Sequence, residues 1–404
     1  MPKYFGENNP EISDALLMNI LSYVDNRTLS LILPQVSSSW RLITRSKQLH
    51  KNILKEILKR IGFFHFNNLN FNVEIISSGY TNVNYKILKD EEYYVLRIPI
   101  MKNHILIDRH NERHNMIVAC ELGLGAALMF YEKSTGIMAT KYIDNENCLT
   151  KEQLTNQDIL ITISRSLKLL HKTSRKFLED WIIFNKIQEL YKFITENDLF
   201  YNKKILELLM KETNRVKHSV DKLNIKLCPC HNDLSPNNIL LLGNDIRIID
   251  WEFSGNNDPV WDLAFLSTIS ELSFKDENVL LFAYFNGNPV EVDFHRFLLY
   301  KPIVHFWVGL LSLLQIYNCN ERLGKNWLAK VAEDKFNKAK ALFEQSNELV
   351  DKLQQVSKSE EVSSKASHSL IPDSIISSPL LFSTKKMHAG NQESTKKAEL
   401  KFDN

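Results

Sequence analysis

Apolar residues along the chain change their spacing twice, and those changes divide it. Over residues 12–59, Leu16, Leu17, Ile20, Leu21 and Val24 fall on one helix face, Asp25-Asn26 breaks the helix, and Leu29, Leu33, Val36 and Trp40 make a second apolar set. This is a small helical module. From about residue 71 the period drops to two, which predicts strands at Phe71–Ser78, Asn82–Leu88 and Tyr93–Ile98, with turns at Ser78-Gly79 and Lys89-Asp90. A helix over Ile105–Leu122 follows, then strands over Leu128–Glu132 and Ile137–Ile143. Helical spacing returns at Leu154–His171, Trp181–Thr195 and Lys203–His218. Short apolar runs at Ile239–Leu242 and Ile246–Ile249 predict a strand pair, and three more helical segments reach about Ser346. Ser357–Asn404 is rich in Ser, Lys and Glu without sustained periodicity and predicts a disordered tail, in which Lys385-Lys386 and Lys396-Lys397 are solubilising charge.

The boundaries that follow are 1–60 for the helical module, 61–348 for a two-lobed domain (small lobe 71–145, large lobe 146–348) and 349–404 for the tail. At 404 residues the chain has room for all three, and 44% apolar with 24% charged residues is ordinary for a globular protein. A net charge of +2 gives no case for nucleic acid as the main partner. Five cysteines (Cys120, Cys148, Cys228, Cys230, Cys319), odd in number and unpatterned, are expected to be reduced thiols in the cytoplasm. Cys228, Cys230 and His231 lack a second ligand pair at zinc-finger spacing, so the cysteines read as strand residues ahead of a loop. No basic start leads into an apolar core at the N-terminus, and no secretory signal is expected. The most apolar stretch, Ile303–Leu314, contains His305, falls short of a membrane span and is expected to be a buried helix, without stable membrane insertion.

The chemistry concentrates between Cys230 and Glu252. His231, Asp233 and Asn238 have the spacing His-x-Asp-x-x-x-x-Asn of a kinase catalytic loop, and a short apolar strand then delivers Asp250, where kinases carry the aspartate that holds magnesium. In-line phosphoryl transfer needs a carboxylate facing the acceptor hydroxyl, with an amide and a second carboxylate facing the metal. One tight loop and the strand pair behind it can present all three. Upstream, Arg97 sits on the third strand, where a cation must reach the nucleotide phosphates, and Glu112 in the following helix is its expected partner. Either residue alone would be an ordinary surface ion pair, worth little. Their order relative to Asp233 and Asp250 lifts them above that. Ser78-Gly79-Tyr80-Thr81-Asn82 would form the turn over the phosphates, with backbone N–H groups and small hydroxyls as donors. Five strands with one helix inserted after the third make the order of a kinase small lobe. His110 and His114, with Glu112 between them, do not form a metalloprotease pattern and read as a solvated helix face.

Residues 71–347 resemble the choline/ethanolamine kinase family, most closely its bacterial phosphorylcholine-pathway members. The stretches that carry this are Ser-Gly-Tyr-Thr-Asn (78–82), Tyr-Val-Leu-Arg-Ile-Pro (94–99), Ile-Asp-Arg-His-Asn-Glu (107–112), Glu-Leu-Gly-Leu (121–124), Leu170-His171, His231–Leu240 and the run from Ile248 through Asp-Pro-Val-Trp-Asp-Leu-Ala (258–264). The catalytic blocks are shared with the wider aminoglycoside-phosphotransferase-like group. The resemblance implies an α+β, bilobal protein-kinase-like fold, with a five-stranded antiparallel small lobe, a mainly helical large lobe and the small all-α N-terminal module added. It implies ATP and Mg²⁺ as cofactors and phosphorylation of the hydroxyl of choline or a related amino alcohol. By that resemblance Asp233 is the base that orients and deprotonates the hydroxyl, Asn238 and Asp250 hold Mg²⁺, and Arg97 contacts the α/β-phosphates. The backbone of Lys141–Ile143 is then the hinge that meets adenine, and His231 shapes the loop.

A quaternary ammonium is best held by aromatic faces and a carboxylate, because it cannot donate hydrogen bonds. Trp251, Trp261, Tyr300 and Trp307 are the candidate faces, with Glu252, Asp262 and Glu271 as countercharge. The family's helix with two tryptophans a turn apart resembles residues 305–311, but here the first Trp is displaced by one position and Leu311 stands where the second would fall. Ethanolamine, thiamine, an aminoglycoside or another amino alcohol therefore stay open as acceptors, as does a kinase-like binding domain without catalysis.

The N-terminal module, from Ile12-Ser13-Asp14-Ala15-Leu16 through Val36-Ser37 and Trp40-Arg41, resembles an F-box. That resemblance implies a Skp1-type adaptor as partner through residues 12–50 and coupling to a ubiquitin ligase. Ile12-Ser13 stands in place of the usual Leu-Pro and Ala15 in place of the usual Glu, and a helical cap on the kinase domain is the alternative. An F-box beside a bacterial-type kinase implies a bacterial protein delivered into a eukaryotic host cytosol.

Overall fold

The computed structural model describes residues 73–353 apart from 79–81, 90, 100–104, 144–147, 200–201, 318–324 and 347, together with Leu54 and Ile57. The F-box-like module apart from those two residues, and the tail from residue 354, lie outside the described residues.

Period-two alternation becomes a five-stranded antiparallel sheet, β1 (Val73–Ser78), β2 (Asn82–Lys89), β3 (Glu92–Pro99), β4 (Leu128–Tyr131) and β5 (Met138–Lys141), in the order β1-β2-β3-β5-β4. Val83 pairs with Ile98 and Tyr85 with Leu96, giving one apolar face on which all four are at most 1% exposed. One residue out of phase, Arg97 pairs with Asn84 on one side and Met138 on the other, so the same alternation sends it to the opposite face. Between β3 and β4 lies α1 (Arg109–Glu121). The sequence predicts its start at Ile105, but the helix begins four residues later because Asp108 caps it, accepting the N–H of His110 (2.7 Å) and of Asn111 (3.0 Å).

The large lobe is mainly helical: α2 (Gln157–Lys172), α3 (Ile183–Glu196), α4 (Lys203–Val220), α5 (Pro259–Ser270), α6 (Phe274–Phe285), α7 (Glu291–Tyr317) and α8 (Lys325–Gln345). Strand β6 (Cys228–Cys230) pairs with β9 (Gly255–Asn257), and β7 (Ile239–Leu242) with β8 (Asp245–Ile248), each antiparallel. Among the described residues up to Ser346, four helices follow β9 where the patterning predicts three. The break between α5 and α6 falls at Glu271, which adopts a left-handed conformation (φ 56°) that neither proline nor glycine announces. The four cysteines among the described residues are free thiols, as expected.

Helix α7 corrects a second expectation. It runs 27 residues and is long and apolar enough to cross a membrane, where the sequence reading makes the stretch too short. Its most apolar window is nonetheless 78% buried within the protein, so it is a core helix. It packs along α8, and the contact at Gly309 is tight: a Cβ there would stand 2.7 Å from Cδ1 of Phe336. Gly309→Ala is expected to lower stability by about 1–3 kcal/mol in denaturant unfolding. An unchanged midpoint would show that the two helices are not in tight contact at this position.

Candidate active site

The loop between β6 and β7 is built from behind by buried partners. The carboxylate of Asp262, on α5, accepts the backbone N–H of His231 and of Asn232, each at 2.8 Å, and His171 Nε2 on α2 donates to it at 3.1 Å. Trp261 Nε1 donates to the Asn232 carbonyl at 3.2 Å. Asn232 takes a left-handed turn (φ 67°), donating through Nδ2 to the Phe253 carbonyl and accepting from Asn257 Nδ2, both at 2.9 Å. The Ile249 carbonyl can only accept, so His231 donates to it through Nε2 at 3.0 Å, and His231 Nδ1 accepts the Asp233 N–H at 3.3 Å. Burial also lowers the His231 pKa, leaving a neutral ring with both nitrogens occupied.

Asp233 itself is held by Asn238. The Asn238 Nδ2 group donates to the Asp233 carbonyl (2.9 Å) and to its Oδ2 (3.2 Å). The β7–β8 hairpin then brings the chain back, with Ile249 N–H donating to the Asn238 carbonyl at 2.9 Å, and delivers Asp250 in a left-handed conformation (φ 66°). Such strain in a non-glycine residue persists only where the surroundings impose it.

The small lobe meets this turn through a buried polar network. Arg97 Nη1 lies 3.4 Å from Asp250 Oδ1, and Arg97 Nη2 pairs with Glu112; Arg97 is 2% exposed and Glu112 fully buried. Glu112 Oε2 also accepts from Tyr131 Oη (2.5 Å) and Arg109 Nη1 (2.9 Å). Glu252 Oε2 accepts from Asn82 Nδ2 at 2.9 Å and lies 3.6 Å from Arg109. Asn115 Nδ2 donates at 3.0 Å to both the carbonyl and the Oγ of Ser254. Arg109, Glu112 and Asn115 stand at i, i+3 and i+6, so one face of α1 is polar and turned inward.

Burial opposes the charge on Glu112, but the Arg97 and Arg109 guanidiniums and the Tyr131 hydroxyl outweigh it and hold its carboxyl below the usual range. The balance runs the other way for the cleft carboxylates. Withdrawal from water, with the Glu252 carboxylate nearby, pushes Asp233 up to about 7 against the opposing hydrogen bond from Asn238. Burial and Glu252 raise Asp250 well above its ordinary value despite Arg97. Four carboxyl groups, Glu112, Asp233, Asp250 and Glu252, share this region with two guanidiniums, so ionising all four would leave two negative charges in excess, the amount one divalent cation would cancel. Hard oxygen donors around uncompensated charge fit Mg²⁺. Asn238 and Asp250 are the pair that would hold it.

The expected site residues divide clearly. Asp233, Asn238, Asp250, Arg97, Glu112, Asn82 and Glu252 belong to one connected polar cluster. Gly79 and Thr81 lie outside the described residues, while the backbone of Ser78 pairs with Val83 at the end of the β1–β2 ladder. Lys141 points its side chain outward to Glu92 (2.9 Å), while its backbone N–H and that of Tyr142 donate to the carbonyls of Ala127 (2.8 Å) and Tyr93 (2.9 Å). Four of the residues weighed as substrate contacts support the site instead of lining it. Trp251 is buried against His231 and Phe177, Trp261 and Asp262 anchor the loop, and Tyr300 donates to Asp258 at 2.7 Å. Glu271 pairs with Lys151 (3.1 Å) and Lys338 (3.6 Å), and all three side chains are substantially exposed. Trp307 meets Phe253 and Trp181, with ring centroids 6.3 and 5.4 Å away, and Trp181 and Phe253 are 5.9 Å apart. Sequence reasoning missed Trp181, Phe253, Arg109, Asn115 and Tyr131; for Arg109 and Asn115 the available signal is their three-residue spacing around Glu112.

Comparison with known proteins agrees with this geometry. The family model for choline/ethanolamine kinase matches residues 73–281. Two LicA proteins of Haemophilus influenzae are 32% identical, over 210 residues (52% of this chain, 61% of that protein) and over 195 residues (48% and 72%). A choline/ethanolamine kinase family protein from Mesorhizobium loti superposes with a TM-score of 0.63 at 23% identity, covering 75% of this chain and 99% of that one. Choline kinase LicA from Streptococcus pneumoniae superposes at 0.60 and 22% identity, covering 73% and 99%. These two structures establish the protein-kinase-like fold. With a matched family model spanning both the sheet and the catalytic loop, the chain belongs to the choline/ethanolamine kinase family, whose members are phosphotransferases acting on an alcohol group.

Proposed function

We propose that the protein is an ATP- and Mg²⁺-dependent kinase that phosphorylates the hydroxyl of choline or a closely related amino alcohol. The observation that carries this is the hold of Asn238 on Asp233, opposite Asp250 and Arg97 in one cleft. Asp233 accepts the proton of the acceptor hydroxyl as that oxygen bonds to the terminal phosphorus and the bond to the ADP oxygen breaks. Arg97, fixed by Glu112, offers its guanidinium to the phosphates, and the backbone of Lys141–Ile143 faces the base. A bound Mg²⁺ would supply neutralisation of the phosphate charge, with Asn238 and Asp250 as its ligands. Trp181, Phe253 and Trp307 provide the aromatic faces for a quaternary ammonium, and the carboxylate of Glu252 the countercharge.

The names of the relatives, choline kinase LicA among them, support the acceptor class. ADP release from the full chain is expected with choline or ethanolamine and to be much weaker with thiamine and aminoglycosides. Turnover of an aminoglycoside alone would overturn the acceptor assignment, and no turnover of any of them would favour a binding domain. Asp233→Ala should lower kcat at least about 100-fold with the fold intact, and Asp250→Ala should also weaken Mg²⁺-dependent nucleotide binding. Retained activity in either would contradict their roles.

The raised pKa of Asp233 has a thermodynamic counterpart. Because the folded chain holds this proton up to about pH 7 and the ordinary value is 3.8, its ionisation costs stability that grows across that window and is constant above it. Asp233→Asn is therefore expected to melt higher than wild type at pH 8, by at least about 2 °C, with the gap closing toward pH 4. A gap independent of pH would mean that burial of this charge is not strained.

For residues 12–50 the motif alone supports a role, as an F-box that engages a Skp1-type adaptor after delivery into a eukaryotic cytosol. A pull-down from host lysate is expected to recover Skp1 with the full chain. Recovery by a control F-box but not by this chain would remove the idea.

A further inference from the structure

Arg109 has no part in the reaction as set out above, yet together with Asn115, which bonds Ser254, it joins α1 to the turn that follows Asp250. Its Nη1 lies 2.9 Å from Glu112 Oε2 and 3.6 Å from Glu252 Oε2, and the side chain is only 10% exposed. Those two carboxylates come from different elements. Glu112 is on α1 and fixes Arg97, while Glu252 follows Asp250 by two residues and also receives Asn82 from β2. Without a cation between them, the two acidic side chains would repel across a buried space.

The hairpin joining β4 to β5 is shaped around this guanidinium. Tyr131, at the end of β4, donates to the same Glu112 oxygen at 2.5 Å. At Gly136 (φ +75°) a Cβ would lie 2.5 Å from Arg109 Nε and 2.8 Å from its Cδ, so a side chain at 136 would occupy the space the arginine fills. Both carboxylates are met by the same Nη1, while the rest of the planar group fills the space beside Gly136, which the thinner lysine side chain would leave partly empty.

We propose that Arg109 is a positioning residue: by bridging Glu112 and Glu252 it fixes α1, and with it Arg97, relative to the turn that carries Asp250. This deepens the kinase reading and rests on it for its kinetic consequences. Its structural part concerns the ligand-free protein and stands apart from catalysis.

Hydrogen–deuterium exchange of the full ligand-free chain, together with steady-state kinetics, tests it on Arg109→Met and Arg109→Lys. In Arg109→Met, peptides covering residues 109–121 and 250–254 are expected to exchange about tenfold or more faster, with the core helix at 303–314 unchanged. The kcat should fall about 10- to 100-fold, the scale of one lost charge-assisted hydrogen bond, while the KM for the acceptor stays within about twofold. Arg109→Lys should recover part of the exchange protection and part of kcat. Unchanged exchange and kcat in both variants would overturn the proposal, as would acceleration spread evenly over the whole chain. Should Arg109→Met fail to fold, Arg109→Lys decides on the same readouts. A wild-type protein without kinase activity would defeat the functional reading and leave the exchange comparison to judge Arg109 alone.

Discussion

A buried guanidinium stays charged and ordered only with carboxylates beside it, and this domain is assembled around that requirement. Arg97 leaves the sheet on the face opposite its apolar layer and finds Glu112 from one element and Asp250 from another. Removing one partner from such a buried pair typically costs about 3–5 kcal/mol, because the remaining charge is stranded. One side chain therefore ties the sheet, α1 and the turn after β8 into a single geometry. The helical lobe does the same for the catalytic loop through Asp262, whose two oxygens fix consecutive backbone N–H groups. Asp233 and Asp250 come together because the loop that carries one is anchored by Asp262 and the turn that carries the other by Arg97 with Glu112.

The arrangement is not optimised for the stability of the empty protein. Asp233 and Asp250 sit where burial and Glu252 disfavour their charge, and Asp250 is held in a left-handed backbone conformation. Four carboxyls against two guanidiniums, with a strained aspartate among them, fit the cation of the proposed reaction, which would offset the excess charge. A carboxylate with a pKa near neutrality is also suited to taking a proton from an alcohol. The same features that weaken the ligand-free state make the cleft competent.

Much of this was legible in the sequence because it depends on order and parity. The spacing of His231, Asp233 and Asn238 and the strand leading to Asp250 fix the loop, and period two places Arg97 on the polar face of β3. What was not legible depends on which partner a buried polar group finds. Trp251, Trp261 and Tyr300 have the composition of an ammonium cage, yet each is consumed in packing or in a hydrogen bond to the scaffold. Asp262 reads equally well as countercharge or anchor until its two N–H donors are seen. Glu271 reads as countercharge until it is seen to face Lys151 and Lys338, and its left-handed break is invisible without glycine or proline. Arg109 lay inside the helix expected over residues 105–122 without a role of its own, since helical patterning marks a polar face without saying whether it is turned to water.

The central claim is that Asn238 and Asp250 hold a divalent cation beside a base that remains free. Crystals grown with Mn²⁺ and a non-hydrolysable ATP analogue test it most directly through anomalous scattering from the metal. The account predicts a peak bound by Asp250 and Asn238, with Asp233 left to face the acceptor side. A metal bound by Asp233 in place of Asp250, or nucleotide bound with no metal at this turn, would contradict it.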